Sequence, residues 1–432
     1  MNIPLDRLYH YIESVAQQVY KDDVLIYRFY PHGSKNIQDL NHLVAATWQQ
    51  RATHPSIWCH DQEPLNHEFY KTHLRELFGN WIDTVRSLGS QELVPTNLNW
   101  SNNIFDKNVL LHSERRSGEV EKYQNNGELI TVYYWSHAVI ARDWFRYAEH
   151  ESFKKCTKKT FLIYNRAWSG TREYRLRFSD LLIERGLIEQ CQTTCNPLDP
   201  ESGQHYDTHE FVNTAWRPHN QLEQFLTGTT ATSASSADFN QHDYNSTDIE
   251  VVLETLFDDE RLHLTEKSLR PIACAQPFII VAPHGSLEYL RSYGFKTFDG
   301  IWNEDYDQEQ DAARRLGMIA DLIQTIADWN PDTRESKLDQ ARDIAKYNQE
   351  WFFSKEFFNM IIDELKTNLK QAFQELDSCN NYTHWVARWN RLLEQPGICD
   401  FLDANIDYTM PSRASINNIM QLCQSKLALK NS

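Results

Sequence analysis

The sequence predicts an α/β chain of two lobes, each built on a parallel sheet, followed by a helical C-terminal segment. Three observations carry this. Short β-rich runs stop repeatedly at polar loops and are followed by helical stretches, the pattern of strands joined by crossover helices. A length of 432 residues accommodates two domains and additional structure. From Asp311 onward the apolar spacing turns helical and stays so.

In order, an amphipathic helix over Leu5–Val19 leads to the run Val24–Tyr30, a strand that stops at Pro31 and Gly33. Ser56–Cys59 then enters the polar cluster His60-Asp-Gln-Glu63, and Val109–Leu111 enters His112. Leu129–Tyr134 precedes a helix around Ala138–Ala148. A hydrophilic stretch at 149–159 separates this N-terminal lobe, residues 1–155, from a second lobe, residues 156–335. The second lobe opens with the strand Phe161–Tyr164 and a helix over Glu173–Arg185. Pro, Gly, Ser and Thr dominate 195–248, an irregular connection with the character of a lid. Ile249–Glu254 and Phe278–Val281 are strands, and a short helix follows with Ser286 as its N-cap and Gly294 as its stop. Residues 336–432 are expected to be helices packing back across the lobes, with Phe353, Phe357, Ile361 and Leu365 on one face. Both lobes are therefore Rossmann-like.

The formal charge of −17 argues against extensive, non-specific adhesion to nucleic acid or to an anionic membrane, so any anion site must be local. Eight cysteines scattered over a long chain are not a disulfide scaffold and read as reduced thiols. The N-terminus lacks a basic segment followed by an apolar one, and no window approaches 18 apolar residues; a cytoplasmic protein without a membrane partner is expected.

One local basic cluster stands out: Lys154, Lys155, Lys158, Lys159, Arg166, Arg172, Arg175 and Arg177, opposed within that span by Glu173 alone. Asn165 and Arg166 end a strand, and Arg172 lies in the loop before the next helix. Ligands bind at the carboxyl ends of parallel strands, and guanidinium forks and helix N-termini both favour phosphate there. The bland alternative is a solvated basic face. A second group is Thr265-Glu266-Lys267, whose carboxylate suits ribose hydroxyls and whose lysine suits phosphate, together with Gly285 and Ser286, whose helix amides could meet an anion without a metal. A third is His60, Asp61 and Glu63 at a strand end, candidates for the base that deprotonates an attacking hydroxyl, with His32 and His112 in reserve; such residues also serve as caps and turn formers. Cys191, Cys195, His205 and His209 approximate zinc spacing, but the intervening segment has none of the apolar residues of a small finger. They read as unrelated thiols and loop histidines, and no metal is expected.

The order of Glu266 on a helix, Ala273-Cys-Ala-Gln-Pro277 before a strand, a Gly-containing turn and Glu288 resembles the donor-binding half of two-lobed, GT-B type glycosyltransferases. Asp258 and Glu266 are similar to the spaced acidic pair of that superfamily, with Asp in the first place. Thr265-Glu266-Lys267 resembles the donor motif of fucosyltransferase-like enzymes. The wider blocks His60–Leu65, Tyr164–Arg172 and Gly294–Phe298 resemble glycosyltransferase-like proteins of tailed phages, cyanophages especially. The resemblance implies metal-independent transfer of a hexosyl or pentosyl group from a nucleotide sugar, with no further cofactor. The acceptor would be a modified DNA base, a polysaccharide or a protein, and the site of action a host cytoplasm. From another class, a non-catalytic module that keeps the fold and binds a sugar or a partner fits the many Trp and Tyr residues. Phosphate-transferring chemistry is disfavoured: there is no Gly-x4-Gly-Lys-Ser/Thr loop and no dense carboxylate cluster for magnesium.

Overall fold

The computed structural model describes residues 6–20, 24–28, 56–60, 62–68, 108–125, 130–193, 195–222 and 236–378. The protein is α/β, and among the described residues both sheets are parallel. It divides into two compact units: residues 137–361 form one, and the described residues of 5–136 join 362–378 in the other. Against the expected boundaries at 155 and 335, the chain crosses between Ser136 and His137 and again between Ile361 and Ile362.

The first-sheet unit contains α1 (Asp6–Val19), β1 (Leu25–Arg28), β2 (Ser56–Cys59), β3 (Asn108–His112), α2 (Gly118–Asn125) and β4 (Ile130–Tyr133). Helix α1 buries Leu8, Ile12, Val15 and Ala16, a stripe at i, i+4, i+7 and i+8. The strands lie in the order β1-β2-β3-β4. Ile57, Trp58 and Cys59 of β2 and Val109, Leu110 and Leu111 of β3 are all buried, as consecutive strand residues are when both faces of a parallel sheet are covered.

The second-sheet unit runs through α3 (Ser136–Trp144), which it enters at His137, then β5 (Lys159–Ile163), α4 (Tyr174–Glu184), β6 (Cys191–Thr193), α5 (Gln241–Ser246), β7 (Thr247–Leu253), α6 (Glu266–Ala273), β8 (Phe278–Val281), α7 (Ser286–Ser292), α8 (Ala312–Ala327), α9 (Pro331–Phe353) and the start of α10 (Lys355–Ser378). Its strand order is β6-β5-β7-β8. The chain thus steps from β5 outward to β6, then crosses back to pair β7 on the other side of β5. That reversal makes a switch point, and the crevice beyond the carboxyl ends of β5 and β7 is where an open α/β sheet offers room for a ligand.

Three details set the site's surroundings. Helix α6 starts at Glu266 with Thr265 as N-cap, although Pro271 lies inside it and removes one of the few bonds an eight-residue helix makes. Helix α7 is capped by Gly285 at φ 78° rather than by Ser286, whose hydroxyl donates to the Pro283 carbonyl at 2.6 Å. The guanidinium of Arg142 closes the end of α9 by donating to the carbonyls of Phe353 and Ser354, both at 3.1 Å. In α10, Phe357 packs on Phe295 within the second-sheet unit, with ring centres 5.1 Å apart. Further along α10, Asn368 donates to the Tyr133 carbonyl at 2.7 Å and Phe373 meets Tyr20 at 4.7 Å, both within the first-sheet unit. No helix among the described residues is long and apolar enough to cross a membrane.

Candidate functional site

At the switch point the loop after β5 is tied to the end of β7 by the first turn of α4. The buried guanidinium of Arg175 donates to the carbonyls of Ala167 (2.7 Å), Leu253 (2.7 Å) and Glu254 (3.0 Å). Tyr174 donates its hydroxyl to the Glu254 carbonyl at 2.6 Å, and Thr171 does the same to Thr255 at 2.9 Å. Arg175 is thereby spent on framework rather than on a ligand. So are others of the basic cluster. Lys155 donates to the carbonyls of Tyr244 and Thr247, Lys159 faces Glu189, and Arg177 pairs with Asp180 and Glu184. Lys154 and Lys158 lie exposed. Asn165 is buried, and its amide donates to Ser179 at 3.1 Å.

The two remaining arginines converge. Arg166 and Arg172, each about three-quarters buried, both pair with one carboxylate, Glu201. Arg172 also donates through Nη1 to Glu201 at 3.3 Å and through Nε to the Ser169 carbonyl at 3.3 Å. Glu201 comes from the segment read as irregular, and that segment is firmly rooted. Asp199, fully buried, accepts from the backbone N–H groups of Trp168 (2.8 Å), Ser169 (2.7 Å), Glu201 (2.7 Å) and Ser202 (2.9 Å). Burial pushes its carboxyl up, but those four amides outweigh burial and hold it at about 2. Further along, Glu173 accepts from the backbone N–H of Val212 at 3.0 Å and pairs with His209 at 2.8 Å. Burial also raises the Glu201 carboxyl, and the hydrogen bond and charge of Arg172, with the charge of Arg166, outweigh it and lower the net value.

On the other flank of β7, Glu254 caps α6: its carboxylate accepts from the backbone N–H of Thr265 (3.0 Å) and from the hydroxyls of Thr265 (2.7 Å) and Ser268 (2.5 Å). Beside this cap Glu266 is buried, with Lys267 Nζ at 2.9 Å and His137 Nδ1 at 3.4 Å. Burial would raise its carboxyl, yet Lys267 first and His137 second hold it well below the usual range. His263 packs edge-on against His137 at 5.1 Å, and burial above all, with the neighbouring charge of His137, drives its own value far down. Thr171, next to Arg172, and Thr265, next to Glu266, are thus tied to successive residues just past β7, Thr255 and Glu254. The amides beyond Gly285 and Ser286 are occupied: Asp307 accepts from Leu287 N–H at 3.0 Å and Glu288 N–H at 3.3 Å.

In the first-sheet unit, His60 follows β2 and is buried, its Nε2 3.3 Å from the Pro64 carbonyl. Burial lowers its value to about 3, and that of His112, at the end of β3, to about 4. Both are neutral interior rings at physiological pH. Glu63 is half-buried on the same loop, while Asp61 and His32 fall outside the described residues. A carboxylate that sequence reasoning passed over, Glu114, pins this loop by accepting from Leu65 N–H at 2.6 Å.

The zinc-like set is committed elsewhere. Burial pushes the thiols of Cys191 and Cys195 up to about 12 and about 11, His205 caps a turn by accepting from Asp207 N–H, and His209 lies between Gln204 and Glu173. Asp180, Glu184 and His219 do gather, but Arg177 already supplies a cation to both carboxylates. The chain matches no family model, no curated protein and no solved structure.

Proposed function

We propose that the protein is a glycosyltransferase of the two-lobed type that takes a sugar from a nucleotide-diphosphate donor held at the β5/β7 switch point of the second-sheet unit. The observation that carries this reading is the convergence of Arg166 and Arg172 on a single carboxylate at the carboxyl ends of parallel strands. In this reading the two guanidiniums take the diphosphate and offset the charge that builds on it as the sugar departs, the step at which fixed cations contribute most. Lys267 neutralises Glu266 in the free protein and turns to phosphate when the ribose hydroxyls donate to Glu266. The first-sheet unit takes the acceptor, with Asp61 and Glu63 as candidate bases. His60 recedes, because a ring held neutral to about pH 3 in the interior makes a poor partner for an incoming hydroxyl.

The test is a panel of labelled sugar nucleotides incubated with the pure protein, in which nucleotide release is followed. Release by the wild type with at least one donor, lost in Arg166→Ala and Lys267→Ala, is the expected result. A thermal shift without release by any donor would place the protein with binding modules instead.

A further inference from the structure

The Arg166–Arg172 seat is already filled, and by a side chain whose backbone does not depend on it. We infer that Glu201 is a displaceable stand-in for phosphate and acts as a charge filter: it yields the seat only to a ligand that brings more negative charge than a carboxylate. This rests on the donor reading only for what the ligand is; the seat and its occupant are argued independently of it.

Three observations carry the inference. The first is charge. Glu201 brings one negative charge to two guanidiniums, so a monoanion entering in its place gains nothing over it, whereas a diphosphate offers each arginine a phosphate of its own. The second is exposure. Glu201 is 37 % exposed, so its carboxylate reaches solvent and can leave the arginines without first being uncovered. The third is the rooting of the loop. Asp199 holds the Glu201 backbone N–H and fixes the segment to Trp168 and Ser169, while Gly203, at φ 71°, turns the chain back so that Asp199 N–H reaches the Gln204 carbonyl at 2.9 Å. The Glu201 side chain can therefore swing out while the loop stays in place. Neither its own N–H bond nor the Asp199 anchor requires the carboxylate.

Inorganic pyrophosphate is the probe, titrated calorimetrically into the full chain. Glu201→Gln, which keeps shape and removes charge, should bind pyrophosphate about tenfold more tightly than wild type, and Glu201→Ala should do the same. In the Arg166→Ala/Arg172→Ala background that gain should vanish, because Glu201 then competes for nothing. Unchanged or weaker affinity in both folded Glu201 variants would overturn the inference. So would a gain that persists without the arginines, since Glu201 would then act only as a remote charge. A separate titration with nucleoside diphosphates keeps the two readings apart. If they bind no better than pyrophosphate while the Glu201 effect holds, the donor reading fails and the filter stands. If they bind tightly and Glu201→Gln changes nothing, the reverse is true.

Discussion

Arg175 and Arg172 lie three residues apart on one stretch of chain, and their fates differ because of what surrounds each guanidinium. Arg175 points into carbonyls at the end of β7, where burial lowers its pKa more than the Tyr174 hydroxyl and the Glu254 charge raise it. Truncating it should loosen the switch point: Arg175→Ala is expected to lose about 3 kcal/mol in chemical denaturation, because the carbonyls of Ala167 and Leu253 lose this donor and that of Glu254 keeps Tyr174. Arg172→Ala should leave stability within about 1 kcal/mol of wild type, since the pair it breaks is partly exposed, and should lower only anion affinity. A second residue-scale expectation concerns Gly294. It has φ 84°, and an added Cβ would lie 2.9 Å from the Trp351 ring nitrogen. Gly294→Ala combines backbone strain with overpacking and should cost about 1–3 kcal/mol in the same denaturation experiment.

The strands β1 to β5, β7 and β8 and the helices α1, α4 and α8 agree with the sequence periodicity to within a few residues. Strand β6 was missed because Cys191–Thr193 is three residues without alternation, recognisable only by its pairing with β5. The order within 195–222, part of the 195–248 stretch whose composition reads as irregular connection, is hidden for a related reason. Its order comes from carboxylates distant in sequence, Glu173 and Asp180, and from Asp199 reaching back to Trp168 and Ser169; composition carries no record of such pairings. The same holds for the site. Arg166, Arg172, Glu266 and Lys267 could be named from their positions at strand-helix junctions, but Glu201 and His137 could not, since each arrives from a separate part of the chain. The loop's anchorage makes it acid-sensitive. The Asp199 carboxyl titrates at about 2 in the folded loop against an ordinary 3.8, so its stabilising contribution is complete above about pH 4 and lost as pH falls toward 2. Protection of the Ser169 and Ser202 amides against hydrogen exchange, relative to the unfolded chain at the same pH, should be lost through that window. In Asp199→Asn that protection should already be low at neutral pH.

The first-sheet unit buries His60 and His112 with folded values of about 3 and about 4, against an ordinary 6.5. Between pH 6.5 and 4 the unfolded chain therefore binds more protons than the folded one, and stability falls as pH falls, by up to about 1.4 kcal/mol per pH step for each histidine. His112→Gln should roughly halve that slope for the unit, measured by urea denaturation at a series of pH values. For the whole molecule, the central claim is that the second-sheet unit is built to hold a diphosphate between Arg166 and Arg172 at its sheet's switch point. Calorimetric titration of nucleoside diphosphates into the wild type and the Arg166→Ala/Arg172→Ala variant, at fixed low salt, tests this most directly. Saturable binding that falls at least about tenfold in the variant, with its unfolding transition preserved, is the predicted result; equal affinity in the two proteins would contradict it.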